Sequence, residues 1–221
     1  MNQKLFVEIG LRYHLLEDTG DNTDIREVPP VFIGGDKIWE TNELYFGIER
    51  SATEIEYLRR SIQSQYIYYR DKLKATLDLG KVNFIHGDGE HTTFINQSVD
   101  TVFFANVFGD PKVGGGIKID LLNEAKRILK PSGKLIILET STPYIAELGK
   151  ANNPWGHRST IYSKPFDTLL PETGFGNYEI IRKSDPEWAI AVTPYNRAAA
   201  TLTHPYGDIP FILFANPDKS K

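Results

Sequence analysis

Three consecutive segments decide the fold: Val99-Asp100-Thr101-Val102-Phe103-Phe104-Ala105-Asn106, then Leu121-Leu122-Asn123-Glu124-Ala125-Lys126-Arg127-Ile128-Leu129, then Lys130-Pro131-Ser132-Gly133-Lys134 running into Leu135-Ile136-Ile137-Leu138-Glu139. The first is a mostly apolar strand. The second places Leu121, Leu122, Ala125, Ile128 and Leu129 on one helical face. Pro131 and Gly133 supply the stop and the dihedral freedom for a turn, and the apolar run after them is another strand. Strand, helix, turn and strand in that order predict a buried parallel sheet.

Outward from this centre, Leu44-Tyr45-Phe46-Gly47-Ile48-Glu49 is an apolar run ending in a carboxylate, where a ligand at the C-terminal edge of such a sheet is held. Leu5-Phe6-Val7-Glu8-Ile9-Gly10 reads as the first strand, with no leader domain expected before it. After Glu49, Ser51 and Glu54 have the spacing of a capping box, and Ile55, Leu58, Ile62, Tyr66 and Tyr69 continue a helical stripe toward Leu77, with Gly80 as the stop. Lys81 to His86 is a further strand closed by Gly87-Asp88-Gly89. Tyr178 to Ile181 and Ile209 to Ala215 are the terminal strands, with Trp188 to Val192 a candidate strand between them. Two turn-rich segments interrupt the pattern: residues 11–43, an inserted loop or lid, and residues 141–165. The linker from Phe108 to Lys118, with Gly114, Gly115 and Gly116, is expected to be mobile or closely approached.

The 221 residues are read as a single domain, 1–221. With 25 Lys plus Arg against 29 Asp plus Glu, a net charge of -4 offers no general field for a phosphate backbone, so a small substrate is favoured over nucleic acid. The absence of cysteine excludes disulfides, thiolate metal sites and a cysteine nucleophile. No signal segment and no apolar run of about 18 residues is present, so no membrane partner and a cytoplasmic location are the expectation.

The order of these elements resembles the class I S-adenosylmethionine-dependent methyltransferases. The residues carrying the resemblance are Val7-Glu8-Ile9-Gly10 for the first motif, Gly47-Ile48-Glu49 for the second and Gly87-Asp88-Gly89-Glu90 for the third. Asp100 to Val107 resembles the fourth, and Leu129 to Leu135 the turn into the fifth strand; Pro210 to Phe214 is similar to the final strand. The resemblance implies a three-layer Rossmann-like α/β fold with a seven-stranded, mostly parallel sheet whose last strand is antiparallel. It also implies S-adenosylmethionine as cofactor and methyl transfer to a small-molecule acceptor. In one place the chain departs from the pattern: Gly10 is followed by Leu11-Arg12-Tyr13 instead of a glycine-rich loop, and about twenty extra residues delay the second strand. Gly34 and Gly35 could restore the close backbone approach; otherwise cofactor binding is altered or lost. A catalytically degenerate binding protein is therefore the alternative reading. A distant similarity to transfer-RNA guanine methyltransferases, with a basic patch at Arg59, Arg60, Arg70, Lys72 and Lys74, makes RNA methylation a further one.

Six residues are expected at the cofactor. Glu49 accepts the ribose hydroxyls, unless it is an exposed acid ending a strand. Asp88 accepts from the adenine amino group while the backbone at Gly89 or Glu90 meets the ring, unless Gly-Asp-Gly is only a solvent turn. Gly10 approaches the methionine portion through its backbone, and Glu8 does so through a backbone or water contact, unless Glu8 is an inward carboxylate held by amides. Asn106 orients the cofactor amine or the acceptor, or caps its strand. His157 is the candidate catalytic base, against a surface histidine. The acceptor is expected between residues 11–43 and 141–165, with Trp39 and Trp155 as apolar walls. His86, Asp88 and His91 do not form the dense cluster a metal requires, and no metal is expected.

Overall fold

A computed structural model describes residues 3–10, 43–73, 78–105, 107–108, 113, 115–139, 166–195 and 211–218. Asn106, His157, Trp39, Trp155, Gly34 and Gly35 lie outside the described residues, as do nearly all of the 11–43 insertion and the whole of 141–165.

Seven strands form one sheet: β1 (Leu5–Ile9), β2 (Leu44–Glu49), β3 (Val82–His86), β4 (Val99–Ala105), β5 (Leu129–Glu139), β6 (Asn177–Arg182) and β7 (Phe211–Asn216). Their spatial order is β3-β2-β1-β4-β5-β7-β6. The first five strands pair in parallel, while β7 pairs antiparallel with both β5 and β6. This is the expected Rossmann-like arrangement.

Side chains alternate across each strand and so feed two cores. On one face Val7, Ile9, Val102, Phe104, Leu135 and Ile137 pack beneath α2 (Gly115–Ile128) and α3 (Phe166–Glu172). On the other, Phe6, Tyr45, Phe103, Ile136 and Leu138 pack beneath α1 (Ala52–Leu73) and α4 (Trp188–Val192). A sheet buried on both faces explains why β4 and β5 read as near-continuous apolar runs.

Several local expectations need correction. Trp188 to Val192 is helix α4, not a strand, with Trp188 and Val192 turned into the core. Five residues cannot show a helical period clearly, so its apolar residues suggested a strand. Gly115 and Gly116 form the opening turn of α2 rather than a linker, because the apolar face from Leu121 onward carries the helix. The turn at Lys130-Pro131-Ser132-Gly133 is absorbed into β5 as a bulge: Val99 pairs with Leu129, but Thr101 already pairs with Lys134. A Cβ on Gly133 would sit 2.9 Å from Leu129 Cδ2 and 3.0 Å from the Lys130 carbonyl oxygen, so this tight fold-back requires glycine. Helix α1 is described as far as Leu73, residues 74–77 lie outside the described residues, and Gly80 belongs to a short 3-10 turn, Leu79–Lys81. The Ser51 hydroxyl accepts from the Glu54 amide at 3.2 Å, the first half of the expected capping box.

Candidate functional site

In chain order β1 is followed by β2 on one side, while β4 lies on its other side. The strand order therefore reverses between β1 and β4, and an open parallel sheet binds its ligands in the crevice beyond the C-terminal ends at such a point. Gly10 leaves β1 there with φ +77, and its amide donates to the Ile48 carbonyl at 2.9 Å. A Cβ at Gly10 would lie 2.7 Å from Val107 Cγ2, so glycine allows both the left-handed turn and the close approach of the segment after β4.

Glu49 ends β2 one strand away. Its carboxylate accepts from the Ser51 amide at 2.9 Å, and its carbonyl accepts from the Gly87 amide at 3.0 Å. These bonds fix the carboxylate at the strand end while leaving acceptor capacity, since one carboxylate offers about four lone-pair sites.

Asp88, after β3, is already engaged. Its Oδ1 accepts from Arg50 at 2.7 Å and from the Glu90 amide at 3.0 Å, and Arg50 also pairs with Glu90. Although burial pushes the Asp88 carboxyl up, the Glu90 amide, the Arg50 guanidinium and nearby His91 together hold it below the usual carboxylate range. Gly89 is buried, and a Cβ there would meet Ile9 Cγ2 at 2.3 Å and Leu121 Cδ2 at 3.1 Å. Its missing side chain thus seats the loop after β3 on the end of β1.

Glu8 points inward. It shares the face of Phe6, is 2% exposed, and accepts from the Tyr45 hydroxyl at 2.6 Å. Burial, reinforced by the Glu8 charge and hydrogen bond, holds the Tyr45 phenol well above its ordinary value. A side-chain partner, rather than backbone amides alone, therefore supports this carboxylate. His86 Nε2 lies 2.8 Å from the Arg50 carbonyl oxygen, and among the described residues no group of three His, Asp or Glu is arranged to hold a metal.

Gly10, Glu49, Asp88 and Gly89 thus gather along one edge, with Glu8 buried just behind it. Reading the sequence alone missed Arg50 and Tyr45, which organise Asp88 and Glu8. Their signals were present: Arg50 directly follows Glu49 opposite the acids Asp88 and Glu90, and Tyr45 is in register with Phe6 on the face that carries Glu8.

Residues 37–137 match the family model described as a methyltransferase domain. Over that stretch, a little under half of its length, the chain is similar to the methyltransferases. Among its relatives, the ubiquinone/menaquinone biosynthesis C-methyltransferase of Haemophilus ducreyi is 32% identical over 84 residues, covering 38% of this chain and 31% of the relative. The corresponding enzyme of Serratia proteamaculans is 30% identical over 118 residues, covering 53% and 39%. The chain thus spans between about a third and two fifths of the length of these relatives. In fold it is similar to geranyl diphosphate C-methyltransferase from Streptomyces coelicolor, with a TM-score of 0.52 at 12% identity, covering 97% of this chain and 73% of that one.

The residues present fit S-adenosylmethionine, the cofactor of the methyltransferases this chain resembles. Gly10 turns the chain at the end of β1 with its Cβ position closed off by Val107, and Glu49 provides a strand-end carboxylate with acceptor capacity toward a diol. No described helix of this chain is long and apolar enough to cross a membrane.

Proposed function

We propose that this chain transfers a methyl group from S-adenosylmethionine to a small-molecule acceptor, leaving S-adenosylhomocysteine. The observation that carries this reading is the placement of Gly10 and Glu49 at the reversal point of the sheet, within a domain matched by the methyltransferase family model. Glu49 takes the ribose diol, a role that needs two accepting positions and no proton donor. Gly10 admits the methionine portion along its backbone. The Asp88–Arg50–Glu90 cluster stands at the adenine side. There Asp88 is held ionised as an acceptor for an amino group, and the Gly89 backbone forms the floor.

When bound, S-adenosylmethionine supplies an electrophilic methyl on its sulfonium. The protein's part is alignment of the acceptor and exclusion of water. The similarity to C-methyltransferases favours a carbon nucleophile. A base is needed where that nucleophile begins protonated, and His157 is the candidate; Asn106 is the candidate for orienting the cofactor amine or the acceptor. Residues 11–43 and 141–165 leave the sheet at its C-terminal edge and are proposed to enclose the acceptor, with the protein acting in the cytoplasm.

Calorimetric titration of the folded chain with S-adenosylmethionine and S-adenosylhomocysteine tests the reading. Saturable binding of both is expected. Binding of neither would overturn it in favour of a degenerate domain acting through protein association.

A further inference from the structure

The reversal point has two lips, each just beyond the end of its strand and each held in its own way. Gly10, on the β1 side, is held by its bond to the Ile48 carbonyl. Val107, on the β4 side, lies beyond the last residue of its strand, Ala105. Its position is fixed by what holds Phe108. The Phe108 amide donates to Glu139 Oε1 at 2.9 Å in a fully buried hydrogen bond, and Glu139, at the end of β5, is 1% exposed. The Phe108 ring stands edge-on to Phe104 and Phe166, at centroid distances of 5.0 and 5.3 Å. A buried carboxylate at the end of a strand is costly and is retained only where it is bonded. Here one of its bonds ties the end of β5 to the segment that presses Val107 against Gly10.

Resting on the cofactor reading above, we propose that Glu139 is a positioning residue of the methyl-transfer site: through the Phe108 amide it sets the β4-side lip of the cofactor crevice. Its reach matters, because the oxygen must arrive within hydrogen-bond distance of that amide. Buried Lys118, in the first turns of α2, lies within the field of Glu139. Burial pulls the Lys118 ammonium below its ordinary value while the Glu139 charge opposes the shift. The carboxylate therefore has a cationic neighbour as well as its amide partner, and the two roles can be separated by substitution.

Glu139→Gln keeps the reach and removes the charge; Glu139→Asp keeps the charge and shortens the reach by one methylene. Two quantities are read on each folded variant: hydrogen exchange at the Phe108 amide, and S-adenosylhomocysteine affinity by calorimetry. Positioning through reach predicts that Glu139→Asp exchanges about tenfold faster at Phe108 and binds about tenfold more weakly, while Glu139→Gln stays within roughly threefold of the parent in both. Parent-like affinity in both variants would reduce Glu139 to a structural residue and overturn the proposal. The reverse pattern, with Gln impaired and Asp intact, would assign the effect to charge and overturn it equally. Absence of binding by the folded parent chain would instead defeat the cofactor reading, and this role with it, a result distinguishable from either variant pattern.

Discussion

At the edge where the parallel strands begin, Asp100 accepts the Leu5 amide at 2.9 Å on Oδ2 and the Lys130 ammonium at 2.8 Å on both oxygens. At the edge where they end, the Glu49 carboxylate accepts one amide, from Ser51. The two acids stand at opposite ends of the same parallel ladder, and the chain treats them oppositely. Asp100 has most of its accepting positions taken by its own chain and ties β1 to β4 and β5. Glu49 is anchored but keeps acceptor capacity. Spent and unspent hydrogen-bonding capacity is the physical distinction between an acid that holds a fold together and one placed for a ligand.

The contrast is broken most severely at Gly10. Replacing it with alanine forces an L-residue into the left-handed region, costing about 1–2 kcal/mol, and drives a Cβ into Val107, costing about 1–3 kcal/mol more. Chemical denaturation should show this loss, and cofactor affinity should fall with it. Glu49→Ala and Asp100→Ala form the sharpening pair. Glu49→Ala should weaken cofactor binding by about 1–3 kcal/mol with a nearly unchanged unfolding midpoint. Asp100→Ala should lower stability by about 1–3 kcal/mol and leave affinity intact in the folded protein. Calorimetry and denaturant titration on both variants check this; equal effects on binding would erase the distinction between the edges.

Acid should expose the spent carboxylate. Burial raises the Asp100 carboxyl, but Lys130 and the Leu5 amide, aided by Lys4, outweigh it and hold the value below the ordinary range. A depressed folded value means that stabilisation is complete above the unfolded value, about pH 4, and is lost as the pH falls through the folded value. The acid limb of stability should therefore be shallower in Asp100→Ala than in the parent, measured between pH 5 and pH 2 as an approximate range. The smallest effect belongs to Arg50→Gln. Its pairs with Asp88 and Glu90 are largely solvent-exposed on the arginine side, so stability should change by only about 0–1 kcal/mol. Cofactor affinity should become less selective for the adenine base, read by comparing S-adenosylhomocysteine with its inosine analogue.

The sheet was legible because its signals are local and redundant. Leu135 to Leu138 can be buried on both faces only in a covered sheet, and Leu44 to Glu49 ends on the acid that the edge displays. Trp188 to Val192 misled because five apolar residues suit a short strand or a single helical turn, and only the packing of Trp188 and Val192 decides between them. The site was partly legible for a different reason. The roles proposed for Gly10 and Glu49 rest on the backbone and the strand end, and their places at the ends of β1 and β2 follow from sequence order. The inward turn of Glu8 toward Tyr45 and the tie from Glu139 to Phe108 depend on contacts 37 and 31 residues apart in sequence, which spacing alone does not encode.

The central claim is that the cofactor lies across the ends of β1, β2 and β4. A crystal structure of the chain with S-adenosylhomocysteine tests it most directly. The account predicts the ribose hydroxyls within hydrogen-bond distance of the Glu49 carboxylate and the homocysteine portion alongside Gly10 and Val107. Adenosine bound away from Glu49, with that carboxylate still holding only the Ser51 amide, would contradict it.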